Sequence, residues 1–240
     1  MKFDASTAWT DAMAMLRGQR EILLTLTGFF ILLPLLMVTT LRPFDATAQT
    51  FEQIFEQYQA WANDNLAWLL LVLVLAAIGR LTMLILLLAP ERPTVAEALR
   101  ASVTLLPLLL ITDFLSFVPF ALGMTLFVIP GLYIAGRLLM VEVALVAQRL
   151  RNPLAPLAAS WRTSRGNGWR IALMLLILFI AAQLLQTAIG LTLGVVLTLI
   201  GGQETGNFAL LLVSATANAA LQLVILLVAV AGWRQLAVSR

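Results

Sequence analysis

Four charged residues stand inside apolar runs of this 240-residue chain: Arg80, Asp113, Arg137 and Glu142. Two guanidiniums and two carboxylates can cancel as an ion-pair network that sets helix register, or they can line a polar path for a proton, an ion or a lipid headgroup. A second group follows the fourth apolar run: Arg162, Arg165 and Arg170, beside Ser160, Ser164 and the Gly166-Asn167-Gly168 backbone. Guanidiniums next to hydroxyls and a glycine turn suit an anionic headgroup. Retention of arginine on the cytoplasmic side of a membrane explains the same pattern with no ligand. The glycine turn lacks the lysine and the spacing of a nucleotide-binding loop. The chain has no histidine, no cysteine and a single lysine, Lys2, so thiol nucleophiles, serine-histidine triads and the usual zinc sites are excluded. No catalytic residue, metal or cofactor is expected, and the chain is not expected to be an enzyme.

The elements that carry these residues follow from composition. Hydrophobic residues make up 61% of the chain and charged residues 11%, against about 25% charged in a soluble domain. Mean hydropathy is +0.98. The expected fold class is all-α, a polytopic helical membrane protein with six transmembrane helices and amphipathic interfacial helices, all in a single integral membrane domain over residues 1–240. Expected spans are 22–41, 66–88, 101–122, 124–146, 171–189 and 208–231. Ser6 to Arg20 places Trp9, Ala12, Met13 and Leu16 on one helical face, an amphipathic surface helix. Thr47 to Asn65 repeats that pattern with Phe51, Ile54, Phe55, Tyr58 and Trp61. Ala46-Thr47-Ala48 resembles a signal cleavage site, but the acidic leader and the long apolar run favour an uncleaved first span. Thr94 with Glu97 three residues on reads as a capping box. Gly123 is the turn signal between the third and fourth spans. Pro130-Gly131 is expected to kink the fourth helix. Residues 171–200 would reach about 45 Å as one helix, longer than a hydrocarbon core of about 30 Å. A break is expected at Gly190 and Gly194, leaving 190–202 re-entrant or interfacial.

Charge sets the orientation. With the N-terminus, the link near Glu91, the loop after Gln148 and the C-terminus on one side, that side holds twelve basic residues: Lys2, Arg17, Arg20, Arg92, Arg100, Arg149, Arg151, Arg162, Arg165, Arg170, Arg234 and Arg240. The other side holds Arg42 and five acids, among them Asp45 and Glu204. The positive-inside rule then puts both termini in the cytoplasm. Trp9, Trp161, Trp169 and Trp233 fall at the inner boundary and Trp61 and Trp68 at the outer one. An amphipathic segment precedes spans one, three and five, a threefold repeat of architecture without sequence identity. A basic pI of about 10.2 therefore reads as membrane topology, with no nucleic-acid partner. At about 1.5 Å per residue, Arg80, Asp113 and Arg137 share a depth near the midplane, with Glu142 nearer the cytoplasm. An Asp113–Arg137 pair is expected. Gln183, Gln186, Asn218 and Gln222 are further polar glue.

Within Phe127 to Ile171, VIPGLYIAGRLLMVEVALVAQ followed by PLAPLAASWRTSRGNGWRI resembles the YciC-like bacterial inner-membrane proteins and the membrane domain attached to some glycerophosphoryl diester phosphodiesterases. Pro130, Gly131, Arg137, Glu142, Ser160, Trp161, Gly166 and Trp169 carry the likeness. It implies a polytopic bacterial inner-membrane protein connected with phospholipid or envelope upkeep and partnered by membrane lipids, anionic phospholipids among them. In those fusions hydrolysis belongs to a separate soluble domain, so the activity does not carry over.

Overall fold

The structure, a computed structural model, describes residues 2–44 and 50–237. The Ala46-Thr47-Ala48 triplet, Asp45 and Arg240 lie outside the described residues. Every regular element within them is helical. Helix α1 (Ala5–Gly18) starts at Asp4, whose carboxylate accepts the Ser6 N–H at 2.9 Å, and it buries Ala8 and Ala12. Helix α2 (Arg20–Thr27), a π turn (Gly28–Leu32) and α3 (Leu33–Leu41) form the first apolar rod. The π turn answers Pro34, which has no N–H and whose ring crowds the carbonyl four residues back. The ladder widens there, with the Leu33 N–H donating to the Gly28 carbonyl.

Helix α4 (Phe51–Asp64) is capped by Thr50 and precedes α5 (Leu66–Leu88). The expected capping box is present: Thr94 accepts the Glu97 N–H, and Glu97 accepts the Thr94 N–H at 2.8 Å. It starts α6 (Val95–Leu126), a continuous helix of 32 residues in which residues 95–100, ahead of the third span expected over 101–122, run straight into the apolar part. Then come α7 (Val128–Leu138), α8 (Val141–Ala147), α9 (Leu154–Thr163) and α10 (Gly168–Ala237). Among the described residues, five stretches are long and apolar enough to cross a membrane: Arg20–Leu41, Leu66–Leu88, Val95–Leu126, Val128–Ala147 and Gly168–Ala237. Their outer faces are apolar. Phe127 is 75% exposed and Leu199 82%, an exterior suited to hydrocarbon and costly in water.

Three expectations about helix ends are corrected. The turn between α6 and α7 falls at Phe127, in extended backbone, and not at Gly123. Gly123 lies inside α6 against Gly131, where an added Cβ would come 3.0 Å from the Gly131 Cα; the glycines serve close packing. Pro130 does not kink a helix. It is the third residue of α7, where its missing N–H belongs to the unpaired first turn. The interruption comes later, at Leu139 and Met140 between α7 and α8. Gly190 and Gly194 do not break α10 either. Gly194 admits Leu210, 2.9 Å from where its Cβ would stand, while the chain turns at Gly202 with φ 82° and ψ 177°. A straight helix of 70 residues would run about 105 Å. The Gln186–Ser214 hydrogen bond (3.1 Å), Gly190 near Leu210 and Gly206 near Gly194 step symmetrically from Ile200, so arms 168–201 and 203–237 pack antiparallel.

One end of the bundle gathers the four segments that charge had grouped. The Phe3 N–H donates to Asn167 Oδ1 at 2.7 Å, Asp4 and Gln235 exchange backbone and side-chain bonds at 3.4 Å, Arg234 donates to the Leu87 carbonyl at 2.8 Å, and Arg149 pairs with Glu91. Phe3 and Trp233 are buried there, so Trp233 belongs to the core and not to an aromatic belt. Trp9, Trp161 and Trp169 are exposed.

Candidate functional site

Three of the four charges inside the apolar runs meet. Arg80 on α5 donates from Nη2 to Asp113 Oδ2 on α6 at 3.0 Å, and from Nε to both Glu142 oxygens on α8 at 3.0 and 3.2 Å. Glu142 can reach Arg80 because the Leu139–Met140 interruption restarts the helix at Val141. The three side chains border a cavity of about 300 Å³ that also has Ser116 and Gln222 in its wall. Asp113 and Glu142 keep 31% and 26% of their side-chain surface exposed. One guanidinium between two carboxylates leaves one negative charge in surplus.

Arg137 does not join them, against the expected Asp113–Arg137 pair. It is 4% exposed and points to α9, donating from Nη1 to the Ser164 carbonyl (3.0 Å) and from Nη2 to the Trp161 carbonyl (2.6 Å). Its guanidinium carbon lies 4.5 Å from the Trp161 ring centroid, a cation–π contact. Among the described residues, Nε of Arg137 is the buried side-chain polar atom that lacks a hydrogen-bond partner. The arrangement is a reciprocal cap. Arg137 satisfies the last carbonyls of α9, where the helix dipole is negative. Ser160, in turn, donates to the Arg137 carbonyl at 2.8 Å, left unpaired because α7 stops one residue on; the Ser164 hydroxyl lies 3.2 Å from the same oxygen. Gly136 makes the clasp possible, since a Cβ there would come 2.7 Å from the Gly168 carbonyl and the Ala172 nitrogen of α10.

Ser160 is fully buried in that clasp, so its hydroxyl is not available to a headgroup as the sequence reading had it. Arg162, Arg165 and Arg170 are exposed at the end of the bundle that holds Asn167 and Phe3. Searches against family models, curated proteins and solved structures return no match. Arg170 also donates to the Phe3 carbonyl at 3.4 Å and, with Lys2 and Asp4, borders a cavity of about 610 Å³ between α1 and the start of α10. Asp4 is held below the usual carboxylate range first by the Thr7 hydroxyl, then by the Ser6 N–H. Lys2 and Phe3 were missed by sequence reasoning. The available signal was a lone aromatic between two charges ahead of an amphipathic helix. Among the described residues no three acidic side chains cluster as a metal site would require.

Proposed function

We propose that this chain is a six-span bacterial inner-membrane protein with both termini in the cytoplasm, acting without catalysis in lipid or envelope homeostasis by binding anionic phospholipid at its basic end. The observation that carries the reading is the exposure of Arg162, Arg165 and Arg170 on one end of the bundle, beside exposed Trp161 and Trp169. Basic side chains next to interfacial tryptophans are what an anionic membrane surface attracts. The turn at Gly202 and the antiparallel arms support counting α10 as two spans. The absence of histidine and cysteine supports a non-catalytic role, and the YciC-like resemblance points the same way. The test is native mass spectrometry of protein released from nanodiscs. Replacing Arg162, Arg165 and Arg170 by glutamine lowers the anionic lipid retained; unchanged lipid on a normally inserted variant refutes the reading.

A second reading, transport, is favoured by the Arg80 cluster. Its surplus negative charge, in a cavity lined by α5, α6, α7, α8 and α10, is balanced by one proton or one monovalent cation. Reconstituted vesicles then show a proton or cation flux that Asp113→Asn abolishes, and equal flux in the variant removes this reading.

A further inference from the structure

The 610 Å³ cavity is more than a basic patch. Its mouth carries Lys2 and Arg170, its walls are Trp9, Leu173, Ile177 and Leu178, and a second cavity of about 590 Å³ begins at the same Trp9 and Leu178. That second cavity runs between the arms of α10, where Ala181, Ala182, Ala217 and Ala220 are too small to close the space. Charge, then aromatic, then aliphatic lining is the order met along a phospholipid from phosphate to chain end.

We infer that this continuous groove seats one acyl chain of an anionic phospholipid, with Lys2 and Arg170 holding its phosphate. The inference rests on the anionic-lipid reading above and gives it a location the sequence did not suggest. Three points of chemistry support this occupant. Of the five N–H donors a guanidinium offers, Arg170 spends one on the Phe3 carbonyl at 3.4 Å, which fixes the side chain at the mouth. Lys2 adds a mobile point charge. Asp4, the one acid in the wall, accepts the Ser6 N–H and the Thr7 hydroxyl at 2.9 Å each and stays ionised, but Lys2 and Arg170 outnumber it two to one, so the mouth keeps a net positive charge. The dimensions agree as well. From Arg170 to Ala181 along the helix is about 17 Å, close to half of a hydrocarbon core of about 30 Å, so a chain from the leaflet at this end finishes among the alanines. The groove also explains why α1 is tethered at its very start: Phe3 is anchored to Asn167 and buried against Gly232, and this holds Lys2 and Trp9 over α10.

The experiment uses the full chain in nanodiscs of equal phosphatidylglycerol and phosphatidylethanolamine, released into detergent for native mass spectrometry. Wild type retains phosphatidylglycerol in preference. Lys2→Gln and Arg170→Gln each lower that retention about fivefold. Leu173→Trp fills the groove below the mouth with both charges in place and lowers it too, while Ile200→Trp, exposed beside the Gly202 turn at the far end of the first arm of α10, does not. Asp4→Asn keeps a residue competent to cap α1 and raises retention. If wild type retains no phosphatidylglycerol, the anionic-lipid reading itself falls. If it does, and Arg162→Gln with Arg165→Gln removes it while Lys2→Gln, Arg170→Gln and Leu173→Trp leave it unchanged, the reading stands and the groove is overturned.

Discussion

Arg80 and Arg137 are both arginines inside apolar helices, yet the protein accommodates their charges in different ways. Arg80 meets two carboxylates across three helices beside a cavity. Arg137 meets two backbone carbonyls and an indole, with no carboxylate hydrogen-bonded to it among the described residues. Carbonyl partners cannot change charge, so the Arg137 clasp is a fixed joint between α7 and α9. Carboxylate partners can take up a proton or a cation, so the Arg80 cluster is the one of the two that can respond to what enters its cavity. A buried arginine is therefore no functional mark by itself; the chemistry of its acceptors decides.

The sharpest way to break this comparison is to remove each guanidinium and ask what restores stability. Arg80→Gln leaves two carboxylates without their cation inside the bundle, and breaking such a pair costs about 3–5 kcal/mol. Adding Asp113→Asn and Glu142→Gln to the same chain recovers most of the loss, because an unpaired amide is far cheaper than an unpaired charge. Thermal unfolding in detergent reads both steps. No recovery would mean that Arg80 acts through packing and not through charge.

Arg137→Met should cost less, about 1–3 kcal/mol, the range for buried acceptors left unsatisfied. Here Asp113→Asn and Glu142→Gln give no rescue, since neither carboxylate bonds to Arg137. Limited proteolysis adds a local readout: the 148–167 segment becomes cleavable in Arg137→Met and stays protected in Arg80→Gln. Rescue of Arg137→Met by carboxylate neutralisation would place the two arginines in one network and dissolve the contrast.

The residue count put Arg80, Asp113 and Arg137 at one depth, but Arg137 bonds to Trp161 and Ser164 at the basic end of the bundle and not beside the other two, and the reason is physical. Helical rise places Arg80, Asp113 and Arg137 at one level, which is as far as a count of residues goes. Azimuth and helix interruption decide contact. Nothing in LLMVEV announces the Leu139–Met140 interruption that lowers Glu142 onto Arg80 and frees the Arg137 carbonyl for Ser160. Glycine permits both a turn and close packing, so the type alone does not tell which; at Gly123, Gly190 and Gly194 the second use wins. The grouping of the N-terminus, the Glu91 link, the 148–167 loop and the C-terminus at one end was legible, because charge segregation is a property of whole loops and survives errors in helix ends. The α1–α10 groove was not legible, because it arises where two distant segments leave a space between small residues.

The exposed pair Glu91–Arg149 supplies the weakest and most discriminating control. It joins an arginine to a carboxylate as the Arg80 cluster does, but its partners are 59% and 73% exposed. Water already solvates both groups, and salt screens what attraction remains. Glu91→Gln is therefore expected to leave the melting temperature unchanged within error. The pair does have a pH signature: its hydrogen bond with Arg149 holds the Glu91 carboxyl below its usual value. A depressed folded value means that any contribution is present above the unfolded value of about 4.3 and is lost as pH falls through the folded one. Between pH 6 and pH 8, about two to four units above that unfolded value, Glu91→Gln and wild type should melt together at low and high salt alike. A salt-dependent gap in that window would show that solvent exposure does not weaken this ion pair, and the large penalty assigned to Arg80→Gln could then no longer be credited to its burial.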